Sequence, residues 1–483
     1  GYQVMMEQAG NAAADWIAGQ LAPVRCTVLC GTGNNGGDGY FAAKRLREAG
    51  VSVTLAPILG GPKTELAQHA REQAEQAGVP IVGPADAPDC CRSADVVLDA
   101  LFGIGFHGEI PESARRLARE LEQHPCVVAL DLPSGLGADS PAEPPVSIAA
   151  RHTLCLGAAK PACLMLPARQ RCGAVHILST GIPDEAWQDI TPGGQTMSEA
   201  EAVALLPARD PLAHKGSFGR LLSVCGSSAY TGAAALSAMA ALRAGVGIVT
   251  VAATRAASAV VGASVIEATF LPLSATAGGN IAHSNRNKIL LKAQESDALL
   301  VGCGLGRCSD VDRLVQDLIV HAPCRLILDA DALNALEGAP EWLTRAAMTP
   351  IITPHVGEMS RLTGRSVQEI KQHAPKLARD FAREYRCVVV LKDASTVIAS
   401  PEGRMFYHTG GNAGLARGGS GDLLAGMVAS FAAQGMEAAT AAAAAVTLHG
   451  ASAARCAGRR SMTGMLPHDL LEDLCTVFVE NGR

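Results

Sequence analysis

A glycine-rich loop with polar side chains stands near the start of the sequence, within VLCGTGNNGGDGYFAAKRL at residues 28–46. An apolar run precedes the loop and an amphipathic helical pattern follows it, which is the setting of a dinucleotide-binding turn. A redox dinucleotide would need an acidic residue roughly 20 residues further on, and the stretch at 51–63 has none. Because the loop itself carries Asn34, Asn35 and Asp38, we expect it to bind a substrate. The alternatives are a structural turn and a redox-cofactor loop.

Polar side chains also close two later apolar runs. Asp99 ends VVLD, and Asp131 and Ser134 end VVALDLPSG at 127–135. Binding residues of parallel sheets cluster at the carboxyl ends of the strands, so we expect these side chains to converge with Asn35. Their oxygens suit a hard cation better than a transition metal. Taken singly, each residue has an alternative role as a helix cap or turn former.

The strongest motif of the second half is GNAGLARGGSGDLLAG, residues 411–426. Gly418, Gly419 and Gly421 precede a helical pattern that begins near Asp422. Backbone N–H groups at such a helix start face an anion, and the helix dipole assists them. Asp422 is then placed to take the proton of a hydroxyl that approaches a terminal phosphate, as a general base in phosphoryl transfer does. The alternative is that Asp422 is a plain N-cap.

Further segments of the second half place polar residues or glycines at predicted strand ends. They are LKDAST (391–396), ITPHVGEMSRL (352–362), GCGLGR (302–307) and LDADALN (328–334). His355 fits either a functional role or a turn histidine satisfied by its neighbours. Asp329 and Asp331 fit either catalysis or capping of the following helix.

These motifs lie in two successive alternations of strand and helix patterns. Strands are predicted at 26–31, 51–58, 96–103, 127–135, 152–157 and 174–179, then at 220–226, 247–253, 298–304, 325–331, 350–355 and 387–393, with a hairpin over 395–409. Continuous apolar strands divided by helices indicate parallel sheets covered on both faces. We therefore predict an α/β protein with two domains, at 1–185 and 200–483, joined by a linker at 186–199.

Composition limits the classes of function. The 483 residues carry a net charge of −6 and have no concentrated basic run, so we expect no nucleic-acid partner. The 15 cysteines lack CxxC pairs and zinc spacing, and we expect them reduced in the cytoplasm. The alanine-rich stretch 438–454 contains His449 and is short for a membrane span. We expect a buried helix there and no membrane partner.

Three stretches of the first half, GTGNNGGDG, VLDALFGIGFHGE and ALDLPSG, resemble the epimerase domain of the bifunctional NAD(P)H-hydrate repair enzymes. The resemblance implies a Rossmann-like, three-layer α/β/α domain with a parallel sheet. It implies that the damaged dinucleotide contacts Asn34, Asn35, Gly36, Gly37, Asp38, Gly103, Ile104, Gly105, Phe106, His107, Gly108, Glu109 and Asp131. It also implies a potassium ion held by Asn35, Asp99 and Ser134. We expect Asp131 to act as the acid/base.

The motifs of the second half resemble the dehydratase domain of the same family, which has a ribokinase-like α/β fold. The resemblance implies contacts to the hydrated nicotinamide nucleotide from Ala233, Gly304, His355 and Asp422. It implies that ADP, the co-substrate, contacts Lys392, Asp393, Ala394, Ser395, Thr396 and Gly421. Magnesium is expected with the phosphates. The chain departs from the family at Asp393, where glycine is usual, and at Cys303 and Val356, where proline is usual.

The expected function is repair of hydrated NAD(P)H, abbreviated NAD(P)HX. The first domain would interconvert the R and S epimers. The second would dehydrate the S epimer at the expense of ADP, giving NAD(P)H, AMP and phosphate. We expect NAD(P)HX and ADP as small-molecule ligands and a homo-oligomeric protein. The alternative is a ribokinase-type small-molecule kinase with a non-catalytic N-terminal binding domain.

Overall fold

The computed structural model describes residues 1–183, 185–186, 190 and 193–483. The chain divides into two compact units, Gly1–Pro192 and Gly193–Arg483, and each contains a sheet with helices, as a two-domain α/β protein should. The predicted linker at 186–199 lies partly outside the described residues, and its bounds stay a prediction. Within the described ranges, every helix is too short or too polar to cross a lipid bilayer.

The first unit contains a parallel sheet with the strand order β2-β1-β3-β4-β5-β6. Its strands are β1 (Arg25–Cys30), β2 (Ser52–Ala56), β3 (Val96–Ala100), β4 (Val127–Leu130), β5 (His152–Leu156) and β6 (Ala174–Leu178). Each overlaps a predicted strand. The order of strands reverses direction at β1, between β2 and β3, which is the position where open α/β sheets bind ligands.

Helices cover both faces of this sheet. They are Tyr2–Gln20, Asn34–Glu48, Glu65–Gln76, Ala87–Ser93, Glu112–Leu121 and Pro161–Leu164. Successive strand residues point to opposite faces. In β1, Val28 accordingly packs in one hydrophobic cluster with Tyr40, and its neighbour Leu29 packs in a second cluster with Leu117. The predicted three-layer α/β/α arrangement of the first domain is therefore confirmed.

The second unit contains a larger mixed sheet, with the order β15-β14-β13-β12-β11-β10-β7-β8-β9. Its strands are β7 (Arg220–Val224), β8 (Ile248–Thr254), β9 (Thr269–Leu273), β10 (Ala298–Val301), β11 (Arg325–Leu328), β12 (Ile351–Ile352), β13 (Val388–Leu391), β14 (Thr396–Ala399) and β15 (Met405–His408). The pair β14–β15 is the predicted hairpin. Strand β9 was not predicted, because it contains Pro272 and is only partly buried. Proline is tolerated there because β9 is an edge strand.

Helices of very different lengths complete the second unit. The helices are Glu199–Ala204, Thr231–Arg243, Arg255–Ser264, Arg286–Ala293, Ser309–His321, Asp331–Asn334, Val356–Thr363, Val367–Gln372, Ala374–Tyr385, Ser420–Ala433, Ala438–Arg460 and Leu470–Glu480. The alanine-rich stretch forms the buried helix Ala438–Arg460, as predicted. Small side chains let it pack closely against Ser420–Ala433, the helix that carries Asp422.

Candidate active sites

A cavity of about 980 Å³ opens in the first unit at the carboxyl ends of β1, β3, β4 and β5. The predicted residues that line it are Asn34, Asn35, Asp38, Gly103, Ile104, Gly105, Phe106, His107 and Asp131. The predicted residues Gly36, Gly37, Gly108 and Glu109 do not line it. Met5, Met6 and Lys160 also line the cavity, and we had not singled them out in the sequence.

Glycines of the first loop allow this cavity to form. A Cβ atom on Gly31 would lie 1.8 Å from the carbonyl oxygen of Leu101, and one on Gly36 would lie 2.1 Å from the carbonyl oxygen of Gly31. A larger residue at Gly31 would therefore push the ends of β1 and β3 apart, and one at Gly36 would push the start of the helix away from the loop. Asn35 lies beside Gly103, since a Cβ on Gly103 would be 3.3 Å from Cγ of Asn35.

Asp99 and Ser134 form a buried pair next to the cavity wall. The Ser134 hydroxyl donates to Oδ1 of Asp99 over 2.7 Å and its N–H donates to Oδ2 over 2.8 Å. The same hydroxyl accepts a hydrogen bond of 3.0 Å from the N–H of Phe102, a cavity residue. Burial raises the pKa of Asp99 to about 6, although the bonds from Ser134 act in the opposite direction.

The predicted potassium ligands fit a hard cation. Among the described residues, no Lys or Arg side chain pairs with Asp99, whose side chain is fully buried. Asn35 lines the cavity beside Gly103, and its amide oxygen, not its N–H₂ group, would be the ligand atom. A carboxylate, a hydroxyl and an amide are oxygen donors of the kind that hard cations prefer. The site remains a prediction.

Asp131 is held in a strained backbone conformation at the end of β4. Its φ angle is 69°, in the left-handed region that costs a non-glycine residue about 1–3 kcal/mol. Its Oδ1 accepts hydrogen bonds from the ammonium of Lys160 and, over 3.0 Å, from the N–H of Leu156. Both charged side chains are largely buried and both line the cavity. The strain and the ion pair point to a functional position.

Asp38 is a second carboxyl group on the same cavity. Burial, assisted by the negative charge of Asp131, raises the pKa of Asp38 well above its usual range. The acid form of Asp38 is therefore favoured, whereas Asp131 has a cationic partner in Lys160. The cavity thus holds two carboxyl groups in different environments, one suited to donate a proton and the other to accept one.

The second unit gathers its charged residues at the ends of β11, β12 and β13. Oδ1 of Asp329 accepts hydrogen bonds from the hydroxyl of Thr353 over 2.7 Å and from the ammonium of Lys392 over 2.9 Å. Asp329 does not cap the following helix, whose N-cap is Ala330 and has no capping side chain. Of the two roles left open for Asp329, the structure therefore favours the functional one.

Asp422 lies beside this ion pair. Its helix begins at Ser420 after Gly419, which has a φ of 100° and occupies the N-cap position, so Asp422 is not a plain N-cap. Burial, with the negative charge of Asp329 adding to it, raises the pKa of Asp422 to about 6. A Cβ on Gly421 would lie 3.4 Å from Nζ of Lys392, which brings the glycine motif and the lysine motif together.

The other predicted substrate residues occupy neighbouring strand ends. A Cβ on Gly304 would lie 2.9 Å from Cβ of Ala233, so these two predicted residues are adjacent. His355 caps its helix, because its Nδ1 accepts from the N–H groups of Gly357 and Glu358. These two hydrogen bonds account for a histidine at this turn. They use Nδ1, so they do not exclude a ligand contact from Nε2. The isolated bridge between His355 and Lys392 brings their backbones side by side.

Asp393 has a partner outside the predicted nucleotide site. Its carboxylate lies 3.2 Å from the ammonium of Lys371, so the extra negative charge is balanced locally. Ala394 is exposed, whereas Ser395 and Thr396 are buried at the start of the hairpin. The structure thus brings Lys392 and Gly421 together and places the rest of the segment along the adjoining turn.

Comparisons with known proteins agree with both halves of this description. A family model described as NAD(P)H-hydrate dehydratase matches residues 221–476, and one described as YjeF-related protein N-terminus matches residues 2–162. The bifunctional NAD(P)H-hydrate repair enzyme of Moorella thermoacetica is 34% identical over 98% of this chain and 91% of its own. That of Escherichia coli is 35% identical over 98% of this chain and 88% of its own.

Solved structures match the second unit. The ADP/ATP-dependent NAD(P)H-hydrate dehydratase of Bacillus subtilis, co-crystallised with ATP and Mg²⁺, is 30% identical, with a TM-score of 0.51 over 60% of this chain and 100% of its own. A ribokinase-like superfamily protein of Enterococcus faecalis, 24% identical, shares the fold with a TM-score of 0.52 over 60% of this chain and 98% of its own. The ribokinase-like prediction is confirmed. The chain belongs to the family of bifunctional NAD(P)H-hydrate repair enzymes.

Proposed function

We propose that this protein restores hydrated NAD(P)H in two steps. The first unit interconverts the R and S epimers of NAD(P)HX, and the second dehydrates the S epimer with ADP. The observation that carries this proposal is that Asp422, Asp329 and Lys392 meet the glycine turn before Ser420–Ala433. That arrangement suits phosphoryl transfer to a hydroxyl group, and family membership supplies the substrate.

The dehydration solves a leaving-group problem. Water added across the 5,6 double bond of the reduced nicotinamide ring leaves a hydroxyl at C6, and hydroxide leaves poorly. Asp422 takes the proton of this hydroxyl as the hydroxyl oxygen attacks the β-phosphorus of ADP, and AMP departs. Phosphate then leaves C6 as the ring-nitrogen electrons push and a proton is lost from C5. The balance is NAD(P)HX and ADP to NAD(P)H, AMP and phosphate.

The residues around Asp422 support this step. The amides of Gly418–Gly421 and the helix dipole stabilise the transferring negative charge. Lys392, held by Asp329, supplies a buried positive charge next to Gly421. Magnesium would enter with the nucleotide and neutralise its phosphates. We assign the predicted contacts of Ala233, Gly304 and His355 to the hydrated nicotinamide nucleotide.

Epimerisation in the first unit inverts C6, which is bonded to both the hydroxyl and the ring nitrogen. We assign Asp131 as the group that accepts the hydroxyl proton as the C6 carbonyl forms and the bond from C6 to the nitrogen breaks, and Lys160 as the residue that keeps the carboxylate in place. Asp38, on the same cavity, gives its proton to the ring nitrogen, and the reverse transfers close the ring on the other face of C6. Potassium, bound by Asn35, Asp99 and Ser134, would position oxygens of the substrate. The strained backbone at Asp131 supports a functional role for this carboxylate.

We further propose that the protein is a cytoplasmic homo-oligomer. The free cysteines support a reducing compartment. In the first unit, Tyr2, Val24 and Ile177 are exposed apolar side chains that a partner subunit would cover if they lie in one patch.

The test supplies each NAD(P)HX epimer separately with ADP or with ATP, and follows the near-ultraviolet absorbance of the reduced ring. Recovery of the absorbance from the S epimer requires the second unit alone, whereas recovery of the absorbance from the R epimer requires both units. We expect both recoveries, and we expect the second to depend on potassium. Accumulation of a phosphorylated metabolite without recovery would favour the alternative kinase. That alternative leaves Asp131, Lys160 and Asp99 without a role.

A further inference from the structure

Three potential metal-ligand atoms meet in the second unit. Cys303 follows β10, Asp329 follows β11, and Asp422 lies in the first turn of Ser420–Ala433. The Sγ atom and the two carboxylate oxygens all lie within 4.8 Å of one another. A sulfur with two carboxylate oxygens is a donor set for Zn²⁺, whereas Mg²⁺ prefers oxygen ligands alone.

The bonds of the individual residues leave these atoms available. Thr353 and Lys392 both bind Oδ1 of Asp329, while Oδ2 faces Sγ of Cys303 at 3.9 Å. Among the residues that the structure describes, Asp422 forms no close ion pair with a Lys or Arg, although the charge of Lys392 acts on it. One oxygen from each carboxylate can therefore turn toward the thiol.

The thiol itself is fixed in place. Cys303 is fully buried beside the end of β7, and its carbonyl oxygen accepts a hydrogen bond of 2.8 Å from the N–H of Gly226. A cysteine is not needed for phosphoryl transfer, and the proposed mechanism gives it no task.

We propose that Cys303, Asp329 and Asp422 bind a thiophilic divalent cation of the zinc class. Binding forms one metal–sulfur and two metal–oxygen bonds, releases the thiol proton to water, and leaves a fourth position open. With Lys392 in place, the two carboxylates and the thiolate balance the dication and the ammonium, so the occupied pocket carries no net charge. Because the ion occupies Asp422, it blocks the dehydratase; this consequence rests on the proposed function.

Cobalt(II) titration of the full chain tests the site itself. We expect a thiolate-to-cobalt charge-transfer band, loss of the band in Cys303→Ala, and displacement of the band by Zn²⁺. Cys387→Ala is the matched control, because Cys387 is equally buried and precedes β13 in the same unit. A band of equal strength in natural protein and Cys303→Ala would overturn the proposal, as would its absence from the natural protein.

Zinc inhibition tests the consequence. At a buffered free Zn²⁺ concentration that fully displaces the cobalt band, we expect the rate of dehydration of the S epimer to fall at least tenfold. In Cys303→Ala, compared with its own rate without zinc, the loss should be much smaller. Equal inhibition of the two proteins would remove the link to Asp422. If the proposed dehydratase activity were absent altogether, the cobalt spectrum would still decide whether the site exists.

Discussion

The ammonium of Lys392 lies 2.9 Å from Oδ1 of Asp329, and their side chains are only 18% and 3% exposed. The two residues are 63 positions apart in the sequence and meet because β11, β12 and β13 are neighbours in the sheet. The charge of Asp329, with that of Glu358, raises the pKa of Lys392 although burial opposes this. Lys392 is therefore charged at neutral pH.

Lys392→Met should destabilise the protein as well as abolish dehydration. It leaves the Asp329 carboxylate buried without a cation, and breaking a buried pair in this way costs about 3–5 kcal/mol. Urea unfolding measures the loss. Adding Asp329→Asn should recover most of it, because the uncompensated charge disappears.

Lys376→Met is the matched control for this experiment. Lys376 pairs with Asp380 one helical turn away, and both side chains are more than half exposed. Exposed pairs contribute about 0–1 kcal/mol, so this variant should unfold almost like the natural protein. Equal losses in Lys376→Met and Lys392→Met would mean that burial of the Asp329 pair has no special consequence.

The Asp131–Lys160 pair gives a prediction for the first unit. Asp131→Asn should slow epimerisation by roughly 10²–10⁴-fold, the usual contribution of a general acid/base. Lys160→Met should lower kcat with little change in KM, because Lys160 holds the carboxylate and does not react. Lys160→Arg, which keeps the charge, should recover part of the rate. The rate at which the same variants dehydrate the S epimer is the internal control, and it should stay unchanged.

Two outcomes would contradict the roles assigned to Asp131 and Lys160. If Lys160→Met raised KM and left kcat intact, Lys160 would bind substrate instead of positioning Asp131. If Asp131→Asn epimerised at the natural rate, the acid/base role would be lost. Both measurements use the full chain.

The strands were predictable because most of them are short, buried apolar runs between helical patterns. In β3, for example, every residue is buried, so hydrophobicity alone marks it. Strand β9 was not predicted because its partly exposed residues and Pro272 weaken the hydrophobic signal. Glycines also carried information, since Gly31 and Gly36 are required by close backbone approach.

The sites were only partly predictable. Asp131, Asp99 and Asp422 follow strands or glycine motifs, and those positions are visible in the sequence. Lys160 was missed because its pairing with Asp131 depends on β5 lying beside β4. The Asp329–Lys392 pair likewise depends on strand order, which the pattern of hydrophobic residues does not give. Pairing across a sheet is a property of topology, not of local sequence.

The raised pKa of Asp38 predicts a pH dependence for epimerisation. Burial and Asp131 hold the pKa of Asp38 above its usual range, so the acid form is present below that pKa and is lost above it. If the acid form donates the proton, the rate should fall as pH rises through the pKa. Asp38→Asn, which has no proton to lose, should remove this alkaline limb together with most of the rate.

Dehydration of the S epimer, measured on the same samples, corrects for unfolding at the extremes of pH. A rate that rises with pH over the same range would mean that Asp38 acts as a carboxylate. If the epimerisation rate of Asp38→Asn still fell at alkaline pH, the titrating group would be another residue.

His449 predicts how stability depends on pH. It lies in the buried helix Ala438–Arg460, close to the backbone of Ser420, the first residue of the helix that carries Asp422. Burial, with His408 and Lys392 adding to it, lowers the pKa of His449 from 6.5 to about 4. Between these values the unfolded chain binds the proton and the folded chain does not. Stability from this group is therefore complete above the unfolded pKa and is lost as pH falls toward the folded one.

Urea unfolding at about pH 7 and about pH 5 should reveal a loss of roughly 2 kcal/mol that is due to His449. In His449→Gln, whose amide is polar but does not titrate, the difference between the two pH values should shrink by this amount. His468→Gln is the control, because the side chain of His468 is 58% exposed. If His449→Gln kept the full pH dependence of the natural protein, the acid sensitivity would belong to other groups and His449 would be protonated without disturbing the fold.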